Sequence, residues 1–199
     1  LAGYTLTGEP GTVFRYSNLG AGTLGHVLVQ ACGTSGYEEL VRREIADPLG
    51  LDDTRIVLDA GQELRRVQGH VLASPAPFNE IGEPLAGGGA LRSTVRDLLA
   101  FLAPAVGSGP ATAVTAWQAT LLPRRPSPFG QNGATGLLVN GEDAFGTRLY
   151  SKGGGTAGFT TQICFTTTPP VTVVLLANSR DVQGLYTLGR ALIDLALAP

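Results

Sequence analysis

Apolar residues recur at helical spacing in several stretches of the chain. Leu24, Val27, Leu28 and Ala31 stand three or four apart, which predicts a helix over about 21–31. Gly33 follows where a left-handed residue can close it. Ser35-Gly36-Tyr37-Glu38 has the spacing of a capping box, in which the serine accepts from an early N–H and Glu38 reaches back. A second helix is expected from there, with Tyr37, Leu40, Val41 and Ile45 on one face and an end before Pro48. Ser93 or Thr94 caps a third, with Val95, Leu98, Leu99 and Leu102 facing inward. A short helix is expected around Trp117. A last one over about 182–197 puts Leu185, Leu188, Leu192 and Leu195 on one stripe, expected to pack on a sheet.

The pattern changes after Gly133. Gly136–Val139, Thr147–Ser151, Phe159–Phe165 and Val171–Ala177 are strand candidates joined by short turns, and predict an antiparallel meander. The run Val171 to Leu176 is apolar enough for a central strand buried on both faces. Between the helices, residues 55–90 carry little periodic signal beyond a short strand at about Val67–Ala73. Pro75, Pro77, Pro84 and the run Gly87-Gly88-Gly89 read as a long excursion of the kind that borders clefts. The expected fold is therefore α+β, with an antiparallel sheet flanked by helices and a helical subregion. Its helical and loop part covers about 8–132, and its strands and final helix about 133–199.

Composition narrows the function classes. The 199 residues are 43% hydrophobic and 15% charged, which suits a globular domain with a substantial core. A net charge of −2 gives no basic footprint for nucleic acid. No apolar run approaches the roughly 18–20 residues that span a bilayer. Cys32 and Cys164 lack metal-site or disulfide spacing and are expected in the core. His26, inside a helix, suits a structural or solvent-facing role, and the sequence has no Gly-x-Ser-x-Gly turn for a Ser-His-Asp triad. The chain lacks methionine and opens on Leu1-Ala2-Gly3-Tyr4 without a signal-peptide pattern. We therefore expect its natural start to lie elsewhere, with localisation left open.

Three features point to chemistry. Of the 14 basic residues only Lys152 is a lysine. A compact ammonium is wanted where charge must be placed closely or its pKa shifted, although one lysine could also survive by chance in an arginine-rich chain. Gly153-Gly154-Gly155-Thr156-Ala157-Gly158 places four glycines in six residues. That weakens a strand, and is explained if a ligand must approach the bare backbone, whose N–H groups can face an oxyanion. An ordinary glycine-rich hairpin is the alternative. Tyr16 and Asn18 stand two apart, so they can point the same way in an extended segment, one as acid/base and one holding a carbonyl. Alternatively, Asn18 is a helix cap and Tyr16 a core aromatic.

Together these stretches resemble a known family. PGTVFRYSNLGAGTLGHVLVQACGTSGYEELVRREIADPLGLDDT resembles the region around the Tyr-x-Asn motif of class C β-lactamases, penicillin-binding DD-peptidases and related esterases. GGGALRSTVRDLLAFL and SKGGGTAGF, the latter followed by a strand pair ending in LLANS, resemble later segments in the expected order. The resemblance, over about residues 8–197, implies a β-lactamase/transpeptidase-like fold and residue roles. Tyr16 would be the acid/base partner of the nucleophile and Asn18 a contact to the substrate carbonyl or the catalytic lysine. Lys152 would take the Lys/His-x-Gly position, and Gly155 would give one oxyanion-hole N–H. Gly153, Gly154 and Thr156 would line the substrate.

The departures are equally specific. These proteins attack with a Ser-x-x-Lys serine, and here Lys152 is preceded at that spacing by Leu149. Ser93-Thr94-Val95-Arg96 ends in arginine, which cannot serve as a base. The family's motif lies upstream of Tyr-x-Asn, so the chain is expected to be the C-terminal portion of one domain. An N-terminal segment or a second chain would then carry the nucleophile. Gly153 replaces the usual Thr or Ser, which favours an esterase, peptidase or amidase over a dedicated β-lactamase. The expected function is a serine hydrolase acting on a small-molecule or peptide ester or amide through an acyl-enzyme, with no metal or organic cofactor. An acyltransferase and a non-catalytic binding protein are the alternatives.

Overall fold

The computed structural model describes residues 3, 5, 8, 9, 11, 12, 15–78, 81–126, 132–134, 139–142 and 146–198. Helix α1 spans Asn18–Cys32, α2 Tyr37–Val41, α3 Asp47–Leu49, α4 Ala60–Arg65, α5 Val95–Leu102, α6 Ala111–Leu121 and α7 Leu185–Leu197. A π turn over Arg42–Ala46 joins α2 to α3 as one continuous rod. Strands β1 His70–Val71 and β2 Ser74–Pro75 form a small hairpin. Strands β3 Pro123–Pro126, β4 Asn132–Ala134, β5 Val139–Glu142, β6 Arg148–Thr156, β7 Phe159–Thr167 and β8 Pro170–Ala177 form one antiparallel meander in that spatial order. The α+β expectation holds. Residues 136–138 of the first expected strand lie outside the described residues, and β5 begins at Val139.

The sheet is sandwiched. On one face Tyr150 and Phe165 pack with Leu102, Ala105 and Leu121, and the Trp117 ring stands edge-on to Phe165 at 6.0 Å. On the other, Leu149 and Cys164 pack with Ile193 of α7. Neighbouring residues of one strand thus serve opposite layers, as the period of two requires. Burial pushes the Cys164 thiol up to about 11, consistent with its expected core role. Cys32, expected in the core, is exposed at the end of α1, where that helix presents its outer side. His26 lies on the same exposed side.

Several expectations about faces are corrected. Strand β8 is not central: it is paired only with β7 in this sheet, and most of it is half-buried. The most deeply buried strand among the described residues is β7, with Cys164, Phe165 and Thr166 at 0% exposure. The packed face of α1 is Gly22, Gly25 and Val29, and Leu24, Val27 and Leu28 face outward. In α7 the buried residues are Gly189 and Ile193, and Leu188, Leu192 and Leu195 are exposed. The reason is close approach. A Cβ on Gly189 would stand 2.8 Å from Cys164 Sγ, so only a bare helix surface seats there. In α5, Leu102 is buried but Val95 and Leu99 are more than two-fifths exposed. Asp97 faces inward instead, accepting from the Asp53 N–H at 2.9 Å and the Thr54 hydroxyl at 2.8 Å.

Local signals fared better. Ser17 caps α1 by accepting from the Gly20 N–H at 2.9 Å. At the far end Gly33 is left-handed, and the N–H groups of Gly33 and Thr34 close on Gln30 and Val29. Thr94 caps α5. The capping box at residues 35–38 is replaced by another contact. Gly36 is the cap of α2, and Ser35 bonds through its N–H and hydroxyl to the Glu39 carboxylate, one residue further on. Pro48 does not stop the rod: it follows directly on the π turn near the rod's end, and the rod runs on to left-handed Gly50. Only His70–Val71 of the expected 67–73 strand forms. Among the described residues no single helix is long and apolar enough to cross a membrane.

Candidate active site

The glycine run lies on β6, next to the enclosed strand β7. Lys152 pairs with Ile163, Gly153 with Gln162, Gly154 with Thr161 and Gly155 with Thr160. A two-residue turn at Ala157-Gly158 sets this register, Gly158 taking φ +80°. The glycines are matched by neighbours that fill the space side chains would need. A Cβ would stand 2.6 Å from Thr161 Oγ1 at Gly154, 3.1 Å from Gln162 Oε1 at Gly153 and 3.2 Å from the Arg180 guanidinium at Gly155. The bare strand therefore serves its own polar neighbours as well as an open cleft.

Lys152 reaches across this strand toward Tyr16. Its ammonium donates to the Gly153 carbonyl at 2.5 Å and stands 5.3 Å from the centroid of the Tyr16 ring, within cation–π range. Partial burial pushes its pKa down from the usual 10.5, because the charged form loses water. Tyr16 is 57% exposed, which removes the core-aromatic alternative. It sits just ahead of α1, where extended Ser17 turns the chain into the helix.

Helix α1 is seated by backbone contact. A Cβ on Gly22 would stand 2.8 Å from Leu85 Cα, and one on Gly88 2.9 Å from the Asn18 carbonyl. The glycines at 87 and 88 thus dock the 3-10 segment Glu83–Gly88 onto the start of α1. The expected cleft-bordering excursion is here a support for the helix that follows Tyr16.

Tyr16, Lys152, Gly153, Gly154 and Gly155 line one cleft of about 400 Å³. Asn18 and Thr156 are not among its lining residues: Asn18 is the exposed first residue of α1, and Thr156 the half-buried last residue of β6. The N-cap is Ser17 rather than Asn18, so the Asn18 side chain is not used as the cap. Residues the sequence did not single out complete the lining, among them Gln162, Arg180 and Tyr186. Counting back from the Ala157-Gly158 turn would have found Thr161 and Gln162 opposite the glycines. Arg180 follows the sheet and could be placed only by the tertiary fold.

An antiparallel sheet between helical layers is the fold of β-lactamase-like domains. The profile of the Beta-lactamase family matches residues 1–198, and the chain belongs to that family. Among solved structures, it is similar to a class C beta-lactamase with a TM-score of 0.85 and 20% identity over 99% of this chain and 61% of that one. A beta-lactamase/D-alanine carboxypeptidase from Pseudomonas syringae gives 0.85 and 19% over 99% of this chain and 63% of that one. A human protein, beta-lactamase-like 1, is 31% identical over 105 residues, which cover 51% of this chain and 20% of the human one. The chain thus spans about three-fifths of the length of these solved structures and a fifth of the human relative.

Proposed function

We propose that this chain is the C-terminal portion of one β-lactamase-like domain and forms two walls of a serine hydrolase site that works through an acyl-enzyme. The nucleophile comes from a segment outside the chain. The observation that carries this is the meeting of Tyr16 and Lys152 across the Gly153–Gly155 strand in one open cleft. The serine oxygen bonds to the ester or amide carbonyl carbon, and Tyr16 takes the serine proton. That proton passes to the departing alcohol or amine as its bond breaks. Water then attacks the acyl-enzyme, returns a proton through Tyr16 and releases the acid. The Gly155 N–H faces the oxyanion of each tetrahedral intermediate. Lys152, beside the Tyr16 ring, tunes the site electrostatically. Asn18 needs a side-chain turn to reach the bound carbonyl, because it lies outside the lining in this structure.

Labelling of the complete protein by a fluorophosphonate probe tests this directly. Labelling at one serine is expected; its absence, where a control serine hydrolase labels fully, would leave a non-catalytic binding protein. Turnover with an amine acceptor in preference to water would show the acyltransferase. Tyr16→Phe is expected to lower kcat by about 10²–10⁴ with a p-nitrophenyl ester, the usual span of general acid–base catalysis. Lys152→Met separates chemistry from stability. The folded pKa lies below 10.5, so burying the ammonium opposes folding wherever the lysine is charged, and this penalty fades as pH rises toward 10.5. The variant is therefore expected to be inactive yet at least as stable as the parent at pH 7 in a urea titration. An active variant would remove Lys152 from the mechanism.

A further inference from the structure

The cleft wall holds a buried acceptor that the acyl-transfer scheme does not use. Gln162 lines the cleft and yet is only 6% exposed. Its amide nitrogen donates to the Ile163 carbonyl at 2.9 Å and reaches the Cys164 Sγ at 3.7 Å. Only the NH2 end of an amide can donate to a carbonyl, so these contacts fix which end is oxygen and hold the amide plane. Among the described residues no group donates to the remaining polar atom, Oε1. Buried acceptors in folded proteins are nearly always paired, so one left open at a cleft calls for a donor from outside the chain.

Oε1 stands where such a donor can reach it. Gln162 on β7 is paired with Gly153 on β6, and a Cβ on Gly153 would lie 3.1 Å from Oε1. A larger side chain at that position would cover the oxygen, and the glycine keeps it open to a ligand. Gly155, whose N–H faces the oxyanion in the scheme above, lies two residues further along the same strand. That spacing is about 7 Å in an extended chain. The other polar side chains of the lining are the Lys152 ammonium, the Arg180 guanidinium and the hydroxyls of Tyr16, Thr160, Thr161 and Tyr186. Gln162 Oε1 is therefore the side-chain oxygen of the described lining that can accept but never donate. The donor it takes is neutral, because two cations and no aspartate or glutamate line the same cleft.

We propose that Gln162 is a specificity-determining residue whose Oε1 accepts a hydrogen bond from a neutral N–H or O–H of the substrate, carried several bonds away from the reacting carbonyl. An analogue without that donor would leave the buried oxygen unpaired and is rejected for that reason. The amide is held in place by Ile163 and Cys164 before the substrate arrives, so little ordering is lost on binding. The role in substrate choice rests on the hydrolase reading above, but the binding preference itself does not.

Two matched pairs, used on the complete protein, keep these apart. p-Nitrophenyl 4-acetamidobutyrate and p-nitrophenyl 6-oxoheptanoate differ only in an N–H against a CH2. The amide ester is expected to have a KM about ten-fold lower, with kcat little changed. Gln162→Met keeps the length of the side chain and removes the acceptor, and should bring the two KM values together. A merely structural Gln162 would affect both esters alike, so a ratio that survives this substitution overturns the proposal. Gly153→Ala crowds Oε1 with the glutamine still in place and should lower the ratio in part. It carries the test if Gln162→Met does not fold, and an undiminished ratio is again the overturning result. N-Propylacetamide and 2-hexanone present the same contrast without an ester. In an NMR titration the amide should shift the Gly153 and Gln162 signals at a Kd about ten-fold below that of the ketone. That preference without ester turnover sinks the hydrolase reading and leaves the donor site standing. Turnover without either preference does the reverse.

Discussion

The strand that carries Lys152 lies in a sheet sandwiched between two layers of helices, whereas the helix that follows Tyr16 rests mainly on one 3-10 segment and on the Tyr37 ring of α2. Strand β6 is held by large side chains. Leu149 packs toward α7, and Tyr150 stacks at 5.2 Å on Phe165 toward α5 and α6. Helix α1 is held where its own side chains are absent: Gly22, Gly87 and Gly88 let backbones approach, and Gly25 receives the Tyr37 ring. A core of side chains loses stability in proportion to what is deleted from it. A backbone joint tolerates deletion, since nothing is there to delete, but not addition. The two walls of the cleft should therefore fail in different ways.

The largest expected effect is on the side-chain wall. Phe165→Ala removes a fully buried ring that touches Tyr150 and Trp117, and should cost about 3–5 kcal/mol in urea unfolding. Asp97→Ala should cost about 2–3 kcal/mol, because the Asp53 N–H and the Thr54 hydroxyl lose a buried acceptor. A cost near zero would show that water replaces the carboxylate there. Gly22→Val should cost about 1–2 kcal/mol, since its Cβ can be housed only by moving the Leu85 backbone. That variant sharpens the comparison most. It should lower esterase kcat more than its stability loss explains, because Tyr16 moves with α1, whereas Phe165→Ala should do the opposite. Equal behaviour of the two would mean that the walls are coupled more tightly than their contacts suggest.

The smallest effect is expected at the surface. The Arg65 guanidinium, donating to Asp53, holds its carboxyl down to about 2. The folded pKa lies below the usual 3.8, so the stabilisation is present above that value and fades as pH falls toward 2. Asp53→Asn should shift the urea midpoint slightly at pH 7, and progressively less as the pH falls through about 2. The pair is exposed and screened, so a large shift at pH 7 would point to a role beyond it.

Legibility followed the range of the interaction. Caps and stops were readable because they are settled within a few residues: Gly33 ends α1 and Thr94 starts α5. The meander was readable because short turns leave consecutive strands little choice but to pair. The inward faces of α1 and α7 were not, because apolar periodicity marks a stripe without saying what will meet it. In both helices the meeting surface needed close approach, so glycine won over leucine. Strand β8 misled for a related reason: its apolar run suits burial on both faces, but neighbours are assigned by topology.

Although α4, β3 and β4 carried no signal in it, the sequence by itself determined the order of the longer helices and of the last strands, the antiparallel sheet, the isolated Lys152 on a glycine strand and the Tyr16–Asn18 pair at a helix start. These rest on backbone propensity, turn chemistry and residue type, all local. Only the tertiary structure decided that Tyr16 and Lys152 share a cleft while Asn18 stands outside it, that glycines rather than leucines seat α1 and α7, and that Arg180 is fixed over Gly155. Each of those joins residues far apart in the chain, and long-range contact is decided by which surfaces approach most closely, a quantity no single segment encodes.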